Sequence, residues 1–118
     1  MEYNNDFKYD LKVGNMGEHE LANILQNKTI EVKTDLLTHK TGNVFIEYQS
    51  RNKPSGIATS QADYYAIIVK DTKIILKPAS ELKAIARKYL NTKRDVLGGD
   101  SNTSKGILLP VADLLKIW

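Results

Sequence analysis

Two neighbouring segments decide the predicted fold: IEVKTD at residues 30–35 and VFIEYQS at residues 44–50. Each alternates in character, which is typical of a strand with one face in the core, because successive strand side chains project to opposite faces. A hairpin of the two strands would have an apolar face of Ile30, Val32, Thr34, Val44, Ile46 and Tyr48. Its other face would carry Glu31, Lys33, Asp35, Phe45, Glu47 and Gln49. Carboxylates, an ammonium and an amide gathered on one face can hold a hard divalent cation and still contact a phosphate and a water.

The remaining elements are predicted from hydrophobic periodicity and from turn residues. A helix capped by Asn15 is predicted at residues 15–26, where apolar residues recur at helical spacing. Further strands are predicted at residues 64–69, 73–77 and 107–109, and further helical segments at residues 79–90 and 110–118. This order predicts a single α/β domain with a mixed central β-sheet flanked by helices. Residues 1–13 are polar and are predicted to be loosely ordered.

Length and composition narrow the class of protein. The chain has 118 residues, of which 42% are hydrophobic and 26% are charged, and this suits one globular domain with its own core. It has no cysteine, so a disulfide framework and a thiolate zinc site are excluded. No apolar run reaches the roughly 20 residues of a membrane-spanning helix, and the polar N-terminus lacks the apolar core of a signal peptide. We therefore expect a cytoplasmic protein without membrane contact.

Three acidic positions follow one another through the predicted elements: Glu18 in the first helix, Asp35 at the end of a strand, and Glu47 in the next strand. A helix with a glutamate, a strand ending in aspartate and a strand bearing Glu-x-Lys form the core of the PD-(D/E)XK nuclease superfamily. From about Gly14 onward the chain resembles this pattern, most closely that of Holliday-junction-resolvase-like and phage-encoded members. The resemblance implies a restriction-endonuclease-like core, and the host cytoplasm as the location if the protein is phage-encoded.

The resemblance also implies a chemistry, the Mg²⁺-dependent hydrolysis of DNA phosphodiester bonds by an endodeoxyribonuclease. In such a site Asp35 and Glu47 bind Mg²⁺, for which Mn²⁺ can substitute, together with the main-chain carbonyl of Tyr48. Glu18 binds a second cation or one of its waters. Lys33 or Gln49 orients the attacking water or contacts a phosphate oxygen. Hydrolysis of a phosphodiester requires an activated water and a cation that neutralises the developing charge, and this set supplies both.

One position departs from the family pattern. Gln49 stands where lysine is usual, and glutamine neither carries a charge nor takes a proton. Lys33 lies on the predicted acidic face and could replace the missing lysine. An alternative register takes residues 31–33 as the Glu-x-Lys motif, with Asp6 or Asp10 as the aspartate. That register is disfavoured, because both aspartates lie in the polar segment before the helix rather than in a preceding strand.

Basic and polar loops supply candidate phosphate contacts. Arg51, Lys53 and Ser55 follow the second predicted strand, and Lys105 lies in the Gly-rich segment of residues 98–106. The net charge of +3 permits DNA as a partner. The resemblance implies branched, flapped or junction DNA as substrate. Cutting both strands would be simplest for a homodimer, because one copy of this chain holds one site.

Alternative readings remain beside this one. The fold could have lost hydrolysis and could act as a module that binds nucleic acid or a protein partner, and Gln49 favours that reading. Glu18 could serve the helix N-terminus alone, and Lys33 could only neutralise a carboxylate across the predicted hairpin. Asp35 and Glu47, taken singly, could be solvated strand residues beside a turn.

Overall fold

The computed structural model describes residues 19–116. The predictions for Glu18, Asp6, Asp10, the Asn15 cap and residues 1–13 lie outside this range. The described strands are β1 (Ile30–Asp35), β2 (Asn43–Ser50), β3 (Lys53–Pro54), β4 (Tyr64–Val69), β5 (Lys73–Pro78), β6 (Asp95–Gly98) and β7 (Ser104–Pro110). The described α-helices are α1 (residues 19–25), α2 (Thr38–Thr41), α3 (Ala79–Arg87) and α4 (Val111–Leu114).

The strands form two sheets. The first has the order β1-β4-β5, with β1 parallel to β4 and β4 antiparallel to β5. The second is antiparallel and has the order β3-β2-β7-β6. The predicted α/β class is therefore confirmed, while the single mixed sheet is replaced by one mixed and one antiparallel sheet. The strands β3 and β6 were not predicted, because one has two residues and the other lies in a segment rich in polar and glycine residues.

The predicted hairpin of β1 and β2 does not form. Every residue of β1 has a partner in β4, and β2 pairs with β3 and β7. The reason lies in the connection, where the helical turn α2 separates the strands and ends at Gly42, whose φ is 74°. A tight hairpin turn would continue one sheet, whereas α2 carries the chain from the first sheet into the second.

The two strands also differ in which face is buried. In β2 the predicted face is correct, because Val44 and Ile46 are 0% and 2% exposed. In β1 the prediction is reversed, since Val32 is 60% exposed while Lys33 and Asp35 are half-buried. Lys33 and Asp35 are thus turned toward the rest of the described chain, while Glu31 on the same face is exposed.

One buried cluster joins both sheets to the helices. It contains Val44, Ile46, Ile57, Tyr65, Ile67, Val69, Ile75, Leu82, Ala86, Ile107, Leu109 and Leu114. Helix α3 contributes Leu82 and Ala86 and begins directly after Pro78, which is its N-cap residue. It ends three residues before the predicted boundary at residue 90, in a run of turns. None of the described helices is long and apolar enough to cross a membrane.

Candidate active site

A cleft of about 350 Å³ lies between β1 and β2. Its lining residues are Glu31, Val32, Lys33, Thr34, Ile46, Glu47, Gly56, Ile57 and Tyr65. The cleft therefore brings together three of the charged residues that sequence analysis placed on one face, although the two strands that carry them belong to different sheets. Two carboxylates and one ammonium give it a mixed charge that suits a cation and an anion together.

Glu47 is held by the loop that follows β2. Its Oε2 accepts a hydrogen bond from the Ser55 hydroxyl at 2.8 Å, and Ser55 N donates to the Tyr48 carbonyl at 3.0 Å. The chain turns back through Arg51 and Asn52, whose φ values of 50° and 68° are those of a type I′ hairpin turn. This turn places Ser55 beside Glu47. The Tyr48 carbonyl, a predicted metal ligand, thus has one partner already and retains a second lone pair.

Gly56 is required where it lies. Its φ is +53°, and a Cβ built on it would overlap the carbonyl group of Glu47, whose carbon would lie 2.9 Å away. The loop therefore contacts the backbone of β2 as closely as a residue without a side chain allows. We conclude that the close approach of Gly56 to the Glu47 backbone fixes the loop and Glu47 relative to each other.

The same loop also holds Glu31 from the opposite side of the cleft. Glu31 Oε1 accepts a hydrogen bond from the Ser60 hydroxyl at 2.9 Å, and Ser60 Oγ accepts one from Ala62 N at 3.2 Å. Residues 55–60 thus orient one carboxylate on each strand. The sequence indicates Ser60, like Thr59, only as a possible cap of a short helical turn leading into Asp63. Such a polar signal is shared by many loops and does not predict the contact with Glu31.

Lys33 is half-buried in this cleft. Over residues 19–116 it has no carboxylate within ion-pair distance, whereas Lys77 and Lys116 pair with Glu81 and Asp113. The alternative role of Lys33 as a neutralising partner of a neighbouring carboxylate therefore finds no support in the described chain.

Asp35 lies at the corner between the two sheets and does not line the cleft. Its Oδ1 accepts from Leu37 N at 3.0 Å and its Oδ2 from Phe45 N at 3.1 Å. Phe45 and Glu47 are two residues apart on one strand face, which corresponds to about 7 Å. Asp35 therefore ties the end of β1 to the strand that carries Glu47. Each of its oxygens retains a lone pair, so a structural role and cation binding are compatible.

Gln49 does not share a face with Glu47. Glu47 pairs with Gly106 and Gln49 pairs with Lys105, so the register shifts at Tyr48 as in a β-bulge. Paired residues project to the same face and successive residues to opposite faces. Gln49 is therefore on the face opposite to Glu47, and the predicted placement of both on one face is wrong. Period-two alternation cannot reveal a bulge.

The register shift in β2 also separates the basic residues that were predicted to contact phosphate. Arg51 and Lys53 are exposed at the turn between β2 and β3. Lys53 pairs with Ser50 on the Glu47 face, whereas Lys105 pairs with Gln49 and lies on the other face. Ser55 uses its hydroxyl proton for Glu47. Lys53 thus lies on the face that carries Glu47, and Lys105 lies on the opposite face.

Tyr65 belongs to the buried cluster and also contributes a polar group to the cleft wall. The ring is 4% exposed and lines the cleft, and the hydroxyl is one of two buried side-chain hydroxyls in the described chain without a hydrogen-bond partner. Burial raises the pKa of Tyr65, with the Ser60 hydroxyl acting in the opposite sense and the Glu31 carboxylate adding to the rise. The phenol therefore keeps its proton at neutral pH.

The described carboxylates are few for a fully protein-bound metal. Among residues 19–116 no three Asp, Glu, His or Cys side chains are grouped closely enough to hold one. Mg²⁺, however, is usually bound through one or two carboxylates, with water and substrate phosphate completing the shell. Among the described residues Glu47 Oε1 has no hydrogen-bond partner, and either Glu31 or Asp35 would supply the second carboxylate. This donor set fits Mg²⁺ with phosphate present.

No protein-family model matches this sequence, and comparisons with curated proteins and with solved structures find no match either. The assignment of function therefore rests on the residues of the cleft.

Proposed function

We propose that this chain is an Mg²⁺-dependent endodeoxyribonuclease whose active site is the cleft between β1 and β2. The observation that supports this most strongly is the pair of carboxylates, Glu31 and Glu47, each oriented by a serine hydroxyl from one loop. Lys33 lies between the same strands without an ionic partner in the described chain. Carboxylates that are held in place and an unpaired ammonium are what a phosphodiester and its cation together require.

Each residue has a distinct role in this proposal. Glu47 and Asp35 would hold Mg²⁺, which supplies neutralisation of the charge that develops on the phosphate. Glu31 is the competing second ligand, in agreement with the alternative register of residues 31–33. Lys33 donates to a phosphate oxygen and replaces the lysine absent at Gln49. Ser55 and Ser60 keep the carboxylates in their orientations before substrate arrives, so that little reorganisation is needed on binding.

The substrate class and the assembly are further parts of the proposal. Branched or junction DNA follows from the resemblance to resolvase-like nucleases. One chain provides one cleft, so cleavage of both strands would be simplest for a symmetric homodimer.

Cleavage assays test the enzyme directly. Supercoiled plasmid and branched DNA are incubated with the wild type in Mg²⁺, Mn²⁺ or EDTA, beside Asp35→Asn, Glu31→Gln and Glu47→Gln. We expect cleavage in either metal, none in EDTA, and losses on the order of 10²-fold or more when a metal ligand is neutralised. The larger loss between Asp35→Asn and Glu31→Gln identifies the second ligand.

Two controls separate the chemistry from the loss of charge alone. Asp71→Asn removes an exposed carboxylate in the β4–β5 turn, at a φ of 57° that asparagine tolerates. Glu20→Gln does the same on α1. Both are expected to cleave like the wild type. Equal activity in wild type and Glu47→Gln, with both folded, would refute the proposal.

A second function deserves the same test because Gln49 faces away from Glu47. A module that has kept the fold but not hydrolysis would bind DNA with a strong dependence on salt and would not cut it. Binding without cleavage in either metal would favour this module over the enzyme.

A further inference from the structure

The hydroxyl of Tyr65 is unusual for a buried polar group. The great majority of buried polar atoms in proteins have a hydrogen-bond partner, because desolvation without one is unfavourable. The Tyr65 hydroxyl has none in the described chain, although the ring is among the most buried side chains and lies in the cleft wall. Glu31, its register partner on β1, already receives the Ser60 hydroxyl proton on one carboxylate oxygen.

The register of the first sheet places Tyr65 on the same face as Glu31 and Lys33. Tyr65 on β4 pairs directly with Glu31 on β1, and paired residues project to the same face. Ile67 is likewise paired with Lys33. The tyrosine is therefore beside the charged row of β1 rather than on its exposed apolar face. A core role alone would be served equally well by phenylalanine.

The cleft needs hydrogen-bond donors if it is to accept an anion. Its two carboxylates repel a phosphate, and the Ser55 and Ser60 protons are directed at those carboxylates. Lys33 and Tyr65 both line the cleft. Over residues 19–116 Lys33 forms no ion pair and the Tyr65 hydroxyl has no hydrogen-bond partner. The raised pKa of Tyr65 keeps the phenol protonated and hence able to donate.

We infer that the Tyr65 hydroxyl is a substrate-contacting group of the cleft, which donates a hydrogen bond to a non-bridging oxygen of the bound phosphodiester. The inference rests on the proposed function and extends it to a residue outside the family motif. Lys33 then neutralises the phosphate while Tyr65 fixes its orientation. The unsatisfied hydroxyl gains its partner only when the substrate is present.

The test is Tyr65→Phe, which removes the hydroxyl and keeps the ring. Thr38→Val is its matched control, since the Thr38 hydroxyl is the other buried and unpartnered one and belongs to α2, away from the cleft lining. Removing an unsatisfied hydroxyl is close to neutral or stabilising. Both variants should therefore melt at or above the wild-type temperature.

Ligand affinity separates the two variants. Binding of a short DNA duplex in Ca²⁺ is measured by titration calorimetry, and binding of inorganic phosphate by NMR shifts of the Gly56 and Ile57 amides. Tyr65→Phe should bind both about tenfold more weakly, as expected for one hydrogen bond to a charged acceptor. Thr38→Val should bind them as the wild type does.

The outcomes distinguish this inference from the proposed function. Wild-type affinity of Tyr65→Phe for phosphate and DNA overturns the inference even if the protein is a nuclease. An equal loss of affinity in Thr38→Val also overturns the inference, because the effect would then come from a change in the fold. A wild type that binds no phosphate overturns it as well. If the wild type does not cleave DNA but binds phosphate more tightly than Tyr65→Phe does, the proposed nuclease function is refuted, while the contact between the Tyr65 hydroxyl and phosphate is supported.

Discussion

The two strands that line the cleft, β1 and β2, share an alternating pattern of apolar and polar residues but have different surroundings. β2 lies between β3 and β7, and its residues Val44 and Ile46 are buried. β1 is at the edge of its sheet, with Val32 exposed and Lys33 half-buried. Alternation is a property of the strand, but the buried face depends on what packs against it. The comparison teaches that an edge strand can turn charged residues such as Lys33 and Asp35 inward and leave its apolar residues exposed.

The strongest way to test this difference is to shorten one apolar residue on each strand. Ile46→Ala removes a side chain that is 2% exposed in the joint core and should destabilise the protein by about 2–5 kcal/mol. Val32→Ala truncates a side chain that is 60% exposed and should change the free energy of unfolding by less than about 0.5 kcal/mol. Denaturant unfolding monitored by circular dichroism measures both.

The reverse result is equally informative. A cost for Val32→Ala that approaches that of Ile46→Ala would show that the apolar face of β1 is covered in solution. The contrast between the two strands would then be lost.

Local patterns predicted much of the secondary structure. The positions of β1, β2, β4 and β5 and the start of α3 agree with the predictions, because periodicity, Pro78 and the turn at residues 70–72 are encoded within a few residues. Strand pairing was not predictable in the same way. Residues 36–43 can turn a hairpin or form a helical corner, and the choice depends on partners such as β4 and β7 that are distant in the sequence.

The site was predictable only in part for the same reason. Glu31, Lys33 and Glu47 follow from the charge pattern, and they do line one cleft. The bulge at Tyr48, the support of Glu31 by Ser60 and the buried hydroxyl of Tyr65 depend on contacts between separate segments. A single sequence contains no local signal for any of these three features.

A second test concerns the loop contact on the β2 side. Gly56→Ala introduces a Cβ that overlaps the Glu47 carbonyl at a φ of +53°, so it must displace the loop or the strand. Gly42→Ala is the control, because its φ is +74° and no atom lies within 4 Å of the added Cβ. The free energy of unfolding of the control should fall only by the cost of the left-handed conformation for alanine, about 1–2 kcal/mol. Gly56→Ala should be less stable than the control and should lose most of its metal-dependent cleavage.

Thermal melting and cleavage rates at saturating Mg²⁺ check this pair. If Gly56→Ala cleaves as well as Gly42→Ala, the orientation of Glu47 does not depend on the loop, and the coupling between them is refuted.

The finest test compares the two serines, one for each side of the cleft. Ser55→Ala leaves the half-buried Glu47 without its partner, whereas Ser60→Ala affects Glu31, which is exposed and can be hydrated instead. We expect a stability loss of about 1 kcal/mol for Ser55→Ala and less than about 0.5 kcal/mol for Ser60→Ala. Mn²⁺ affinity should fall on the order of tenfold in Ser55→Ala, since partners that orient a ligand are worth about that much. Ser60→Ala should lose Mn²⁺ affinity only if Glu31, rather than Asp35, is the second ligand. Paramagnetic relaxation by Mn²⁺ measures the affinity of both variants, and its result for Ser60→Ala shows which of the two carboxylates binds the metal.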